Sequence, residues 1–169
     1  MSDPVLLDID PLTLPVADVI PHRAPFLLID TVTEGVPGEW ASARYTVQSD
    51  NPVLRGHFPG EPVFPGVLLL ENMAQTACWV MASAELAERG LYVLVRVTQS
   101  TFQQMVRPGD VLITHARLSR RLEQFSQFEC DITAAGRRVA SAELLVSRRA
   151  KAPQPLPQPV SSTQAERHS

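Results

Sequence analysis

Gly66-Val67-Leu68-Leu69-Leu70-Glu71-Asn72-Met73-Ala74-Gln75-Thr76-Ala77-Cys78-Trp79-Val80-Met81-Ala82-Ser83-Ala84 is the run on which the reading of the fold turns. It follows Pro65, a residue at home at the start of a helix, where a missing N–H costs nothing. Leu68, Leu69, Leu70, Met73, Ala74 and Ala77 are good helix formers, and Gly90 stands beyond them as a stop, so the pattern predicts a helix over about residues 66–89. At about 1.5 Å per residue it is roughly 35 Å long. It is apolar over most of its surface, so other elements must cover it on nearly all sides. The wider stretch 63–87 has the length to cross a bilayer, but it contains Glu71, Asn72, Gln75 and Glu85, and charges at that depth are costly. It reads as a buried helix, with no membrane insertion.

Outward from the helix, alternation marks strands. In 40–48, Ala41, Ala43, Tyr45 and Val47 alternate with Ser42, Arg44 and Thr46; residues 111–119 and 125–133 alternate similarly, and 138–147 supplies a last strand. Pro108-Gly109-Asp110 and Ala135-Gly136 provide turns too short for helical crossovers, so neighbouring strands are expected to be antiparallel. Helix and strands are segregated along the chain, which predicts an α+β class with one long helix wrapped by an antiparallel sheet. Residues 1–15 read as an N-terminal extension and 16–150 as the folded domain. Residues 151–169, with Pro153, Pro155, Pro157 and Pro159 set among polar residues, read as a disordered Pro-rich tail.

The chain has 169 residues, 44% of them hydrophobic and 20% charged, the composition of an ordinary globular domain with enough chain for one core. Fifteen basic residues against 18 acidic give a net charge of −3, which lacks the excess that phosphate backbones require, so nucleic acid is not expected as a partner. Cys78 and Cys130 are too few for a disulfide framework and lack the paired spacing of a zinc site; both lie in apolar runs and read as free, buried thiols. Neither a metal-ligand cluster nor a glycine-rich dinucleotide fingerprint occurs, so no metal and no nicotinamide cofactor is expected. Residues 1–10 carry Asp3, Asp8 and Asp10 and no basic segment leading into an apolar one, which predicts a cytoplasmic location.

The chemistry points to one short region. Arg55-Gly56-His57-Phe58-Pro59-Gly60 is followed by Phe64-Pro65-Gly66 and then by the helix carrying Glu71. Glycines and prolines at this density fix an unusual backbone path around a single histidine. Glu71 has Val67, Leu68, Ala74, Gln75 and Cys78 as its helical neighbours, so its carboxyl loses solvation, which favours the protonated form; a pairing of Glu71 with an arginine of the sheet would be the plainer explanation. A neutral imidazole and a carboxylic acid together divide the labour of an elimination, one taking a proton and the other giving one. The helix start at Gly66 to Leu68 leaves backbone N–H groups without intrahelical partners, where negative charge on a carbonyl oxygen is stabilised. Glu71 is five residues into the helix, roughly 7.5 Å along its axis from those amides. The residues therefore read as a site for proton abstraction beside a carbonyl, with loss of a protonated β-substituent.

Pro21-His22-Arg23-Ala24-Pro25-Phe26-Leu27-Leu28-Ile29-Asp30, Gly56-His57-Phe58-Pro59-Gly60, Pro65-Gly66-Val67, Leu70-Glu71-Asn72-Met73-Ala74-Gln75 and the Arg107-Pro108-Gly109-Asp110 turn resemble, in order and spacing, the 3-hydroxyacyl-[acyl-carrier-protein] dehydratases of the FabZ type. The resemblance extends from about Val16 to Arg148. It implies a hotdog fold, catalytic roles for His57 and Glu71 contributed by opposite subunits of a homodimer, and substrate binding at Gly66, Phe58 and Val67, with the Gly66 amide on the thioester carbonyl. It further implies dimers assembling into a trimer of dimers, acyl carrier protein as partner, and no cofactor beyond the phosphopantetheine that carries the substrate. Glutamate rather than aspartate at 71 implies dehydration without isomerisation. The chain departs from the family pattern at Gln103, Gln104 and Met105 after Phe102, and at Cys78 and Trp79 in the helix, which bears on tunnel shape and carrier docking and suggests a specialised lipid, polyketide or polyene pathway as much as primary fatty acid synthesis.

His22 and Arg23 read as residues capping backbone between two prolines, and His115 as a surface or interface residue. Arg117, Arg120, Arg121, Arg137, Arg138, Arg148 and Arg149 read as solvated strand edges, some of which would form a docking patch for an acidic carrier. Two competing functions remain: a hotdog acyl-thioesterase, in which Glu71 activates water, and a catalytically silent hotdog partner subunit.

Overall fold

The computed structural model describes residues 9–88 and 90–149. The proline-rich segment 151–169 lies outside them. After a 3-10 turn at Pro11–Thr13 and a short helix α1 (Val16–Val19), the chain forms strands β1 (Thr31–Val36) and β2 (Trp40–Thr46), then the long helix α2 (Gly66–Ala84). Strands β3 (Leu91–Phe102), β4 (Val111–Leu122), β5 (Phe125–Ala134) and β6 (Arg137–Arg149) follow. One six-stranded sheet in the order β1-β2-β4-β5-β6-β3 holds them all, with every pairing antiparallel. This is the expected α+β arrangement.

Helix α2 starts where Pro65 and Gly66 predict but stops at Ala84, short of the expected 89. Propensity alone would carry it through Leu86, Ala87 and Glu88. Glu85 instead leaves helical geometry, and its carboxylate accepts from the Tyr92 hydroxyl at 2.6 Å and pairs with Arg121 and Arg148 at 2.9 and 3.1 Å. Those tertiary bonds outweigh local preference and turn the chain back into β3. Every residue from Gln75 to Ser83 is buried, as an almost wholly apolar helix requires. The helix packs against β2, β4, β5 and β6, and Trp79, Met73, Phe64, Phe128, Leu112, Ile132 and Leu144 fill the core between them. No helix among the described residues is long and apolar enough to cross a membrane.

Polar groups pin the N-terminal half of α2. The buried Asn72 donates to Leu28 O at 2.6 Å and accepts from the Thr114 hydroxyl. The fully buried Gln75 accepts from Leu28 N–H at 2.8 Å and donates to Phe26 O at 2.7 Å and to a Glu71 carboxylate oxygen at 2.9 Å. Both amides are satisfied, which is the condition for burying them. Together they clamp the 26–28 segment onto the helix beside Glu71. Cys78 and Cys130 are free and buried, as expected.

Candidate active site

The histidine loop is a constrained device. Asn51 caps a 3-10 turn (Pro52–Arg55) by accepting from Val53 N–H at 3.1 Å. Phe58 and Glu61 exchange backbone hydrogen bonds at 3.0 Å in both directions, closing a tight turn in which Gly60 has φ +79, a conformation open to glycine. Val63 N–H donates to His57 O at 2.8 Å, and Arg107 pairs with Glu61 at 3.0 Å, tying the loop to the turn before β4. The His57–Phe58 peptide is cis, and the imidazole stacks on the Phe58 ring with centroids 4.0 Å apart.

His57 Nδ1 lies 2.8 Å from Val63 O. A carbonyl oxygen can only accept, so Nδ1 carries a proton, and in the neutral form of the ring Nε2 is the unprotonated nitrogen. That is the tautomer a general base needs.

At the start of α2, the Gly66 and Val67 N–H groups find no acceptor among the described residues, whereas Leu68 N–H already donates to Pro65 O at 3.0 Å. The expected amide cluster therefore narrows to two groups. A Cβ on residue 66 would lie 3.2 Å from the Phe102 ring, so Gly66 also permits the close approach of β3 to the helix. Val67 is 70% and Phe58 54% exposed, an apolar surround for those amides.

Glu71 opens onto a cavity of about 350 Å³ lined also by His22, Phe26, Ala74, Cys78 and Tyr92. Its carboxyl is 22% exposed, accepts from Gln75, and has His22 Nε2 at 3.7 Å. It is less secluded than its helical neighbours imply, and its near partner is a histidine rather than an arginine of the sheet. Burial pushes the Cys78 thiol up to about 12, with the nearby Glu71 charge adding to the effect, so it stays a neutral thiol beside the cavity.

His22 departs from its expected role as a backbone cap. Arg23 does the capping, donating to Ile20 O and His22 O at 3.0 and 2.8 Å. His22 turns to Glu71, and its Nδ1 is buried without a partner. Burial lowers its pKa against the opposing pull of Glu71, with Arg23 also lowering it, so the ring beside Glu71 is held toward neutrality. Nothing in the sequence spacing announces this meeting, because the Gln75 clamp on residues 26–28 brings the segment there.

His57 and Glu71 are not brought together within one chain: no hydrogen bond or ion pair among the described residues joins them, and His57, Phe58, Gly66 and Val67 do not line the Glu71 cavity. Among the described residues no three His, Cys, Asp or Glu side chains cluster as metal ligands. Several of the arginines expected at solvated edges are paired: Arg117 with Glu129 at 2.7 Å, Arg121 with Glu85, and Arg148 with Glu85 and Glu88. His115 is half-buried, with Nδ1 3.1 Å from the Ser42 hydroxyl.

Known proteins resemble this chain in sequence and in fold. The FabA-like domain family matches residues 20–143. A 3-hydroxyacyl-[acyl-carrier-protein] dehydratase FabZ of Polynucleobacter asymbioticus is 38% identical over 151 residues, spanning 89% of this chain and 99% of the relative. Among solved structures, the dehydratase heterocomplex ApeI:P of Xenorhabdus doucetiae superposes with a TM-score of 0.69 at 27% identity, over 82% of this chain and 93% of that one. A hypothetical thioesterase of Streptococcus pneumoniae solved with coenzyme A has a TM-score of 0.56 at 14% identity, over 70% of this chain and 84% of that one, a likeness of fold alone. With the motifs around His57, Gly66 and Glu71 in place and matches over most of its length, the chain belongs to the FabZ-type 3-hydroxyacyl-[acyl-carrier-protein] dehydratases of the FabA-like family.

Proposed function

We propose that the chain dehydrates 3-hydroxyacyl thioesters carried on acyl carrier protein to the trans-2-enoyl thioesters, as a homodimer in which each site takes His57 from one subunit and Glu71 from the other. His57 Nε2 removes the proton from the carbon beside the thioester carbonyl. The electron pair left behind is delocalised onto the carbonyl oxygen, which the Gly66 and Val67 N–H groups stabilise at the positive end of α2. As the pair returns to form the carbon–carbon double bond, the β-carbon–oxygen bond breaks, and Glu71 gives its proton to the departing hydroxyl, which leaves as water. The proton gained by His57 and the one lost by Glu71 balance, and exchange with solvent resets both. Phe58 and Val67 form the apolar approach to the amides, and the acyl chain enters the cavity beside Glu71.

The observation that carries this reading is the hydrogen bond from His57 Nδ1–H to Val63 O, which leaves Nε2 free as a base. A thioesterase, with Glu71 directing water at the carbonyl, has no use for a histidine held that way. The homodimer is supported by β3, a sheet edge on which Leu91, Val93, Leu94 and Val95 are 40–47% exposed. A second copy paired along that edge would cover them and carry its histidine loop toward the Glu71 cavity. The reading includes a cytoplasmic location and no cofactor beyond the carrier's phosphopantetheine. Assayed for enoyl formation from a carrier-bound 3-hydroxyacyl substrate, the purified protein should be active, and His57→Ala and Glu71→Gln should each lower kcat by about a thousandfold. Release of free carrier thiol without enoyl product, or full activity in both variants, would overturn it.

A further inference from the structure

The groove between α2 and β3 has two distinguishable ends. β3 leaves the turn after α2 and runs back along the helix, so its last residue, Phe102, packs over Gly66 at the helix start. Its second residue, Tyr92, is tied to Glu85 at the helix end. Along the helix face lining the cavity, Glu71, Ala74 and Cys78 follow one another toward that far end, Cys78 lying roughly 10 Å along the axis from Glu71.

We infer that Tyr92 closes the far end of the acyl cavity and makes this a dehydratase of short- to medium-chain 3-hydroxyacyl thioesters. The inference rests on the dehydratase reading above and names the substrate class of that same site. Tyr92 is 7% exposed, lines the cavity, and is held at its hydroxyl by Glu85, which Arg121 and Arg148 hold in turn. A ring fixed by such a chain of charge-assisted bonds does not swing aside for a longer substrate. Past it lies an open polar cleft whose lining includes Glu88, Arg121 and Arg148, so methylenes pushed beyond Tyr92 would meet charge rather than apolar surface. The fixed ring and the polar cleft behind it thus give the acyl chain a defined stop.

The test is the ratio of kcat/KM for long over short carrier-bound 3-hydroxyacyl substrates, measured by enoyl formation in wild type, Tyr92→Val, and the pair Tyr92→Phe and Glu85→Gln. Wild type should favour the short and medium chains, and Tyr92→Val should raise the long-to-short ratio at least about tenfold. If Tyr92→Val does not fold, Tyr92→Phe and Glu85→Gln, which free the ring with little change in its volume, should each raise the ratio about threefold. A ratio unchanged within about twofold in the folded variants, or a wild type that favours long chains, overturns the inference while leaving dehydration intact. No enoyl product from wild type at any length would instead overturn the dehydratase reading on which it stands.

Discussion

The two edges of the sheet are built on opposite rules. β1 is mostly polar where it faces solvent, with Thr31, Thr33 and Glu34 exposed, Val36 at its end the one exposed large apolar side chain and only Val32 buried, and its pairing with β2 slips between Val32 and Glu34. At Gly35 a Cβ would lie 2.7 Å from Trp40 O, so the two backbones pass too closely for any other residue. Polar side chains and charge of this kind keep an edge from recruiting another strand; the pairing of β3 with β6 also slips, between Leu94 and Arg96 and between Thr98 and Thr101, so the two edges differ in their side chains rather than in regularity. β3 begins instead with Leu91-Tyr92-Val93-Leu94-Val95, an apolar run of which only Tyr92 is buried. An apolar edge left open in one chain calls for cover, and in the proposed homodimer the cover is a second copy that completes the active site.

The contrast is most severely broken by a charge placed on each edge in turn. Val95→Lys should dissociate the assembly and lower activity about a hundredfold, whereas Thr33→Lys on β1 should leave both within about twofold, as sedimentation and enoyl formation would report. Equal effects at the two edges would remove the distinction.

The clamps that seat each edge on the helix offer finer probes. Gln75 holds the segment leading into β1 and donates to Glu71. Gln75→Leu leaves buried Leu28 N–H and Phe26 O unpaired, so denaturant unfolding should report a loss of about 3 kcal/mol, with kcat falling about tenfold as Glu71 loses its donor. Glu85 holds the start of β3. Burial works to raise its carboxyl, but the hydrogen bonds from Tyr92 and Arg121 and the charges of Arg148 and Arg121 outweigh it and hold the group below its ordinary 4.5. A carboxyl held low in the folded state stabilises at neutral pH and loses that contribution as pH falls through its folded value. Glu85→Gln should therefore cost about 1 kcal/mol at neutral pH, and the gap to wild type should close below about pH 4.5 in thermal melts.

The same contrast explains what could be read from the amino-acid order. The start of α2 at Gly66, the strands β2, β4, β5 and β6, and the antiparallel class follow from proline placement, alternation and tight turns, because buried and less buried residues alternate along most of each strand. β3 escaped that reading because its apolar residues run consecutively, a pattern that alternation does not detect. The end of α2 escaped because bonds from Tyr92, Arg121 and Arg148 to Glu85 decide it. At the site, His57, Gly66 and Glu71 stand out through local chemistry and motif. His22 does not, since it reaches Glu71 only through a clamp between residues 47 and 49 positions apart.

Mixing two inactive variants shows whether one site takes its base and its acid from different subunits, as proposed. His57→Ala and Glu71→Gln proteins, unfolded together and refolded at equal concentration, should recover about a quarter of wild-type enoyl formation, because half the dimers are mixed and each mixed dimer holds one intact site. A mixture as inactive as either variant alone, with mixed dimers demonstrated by mass, would contradict it.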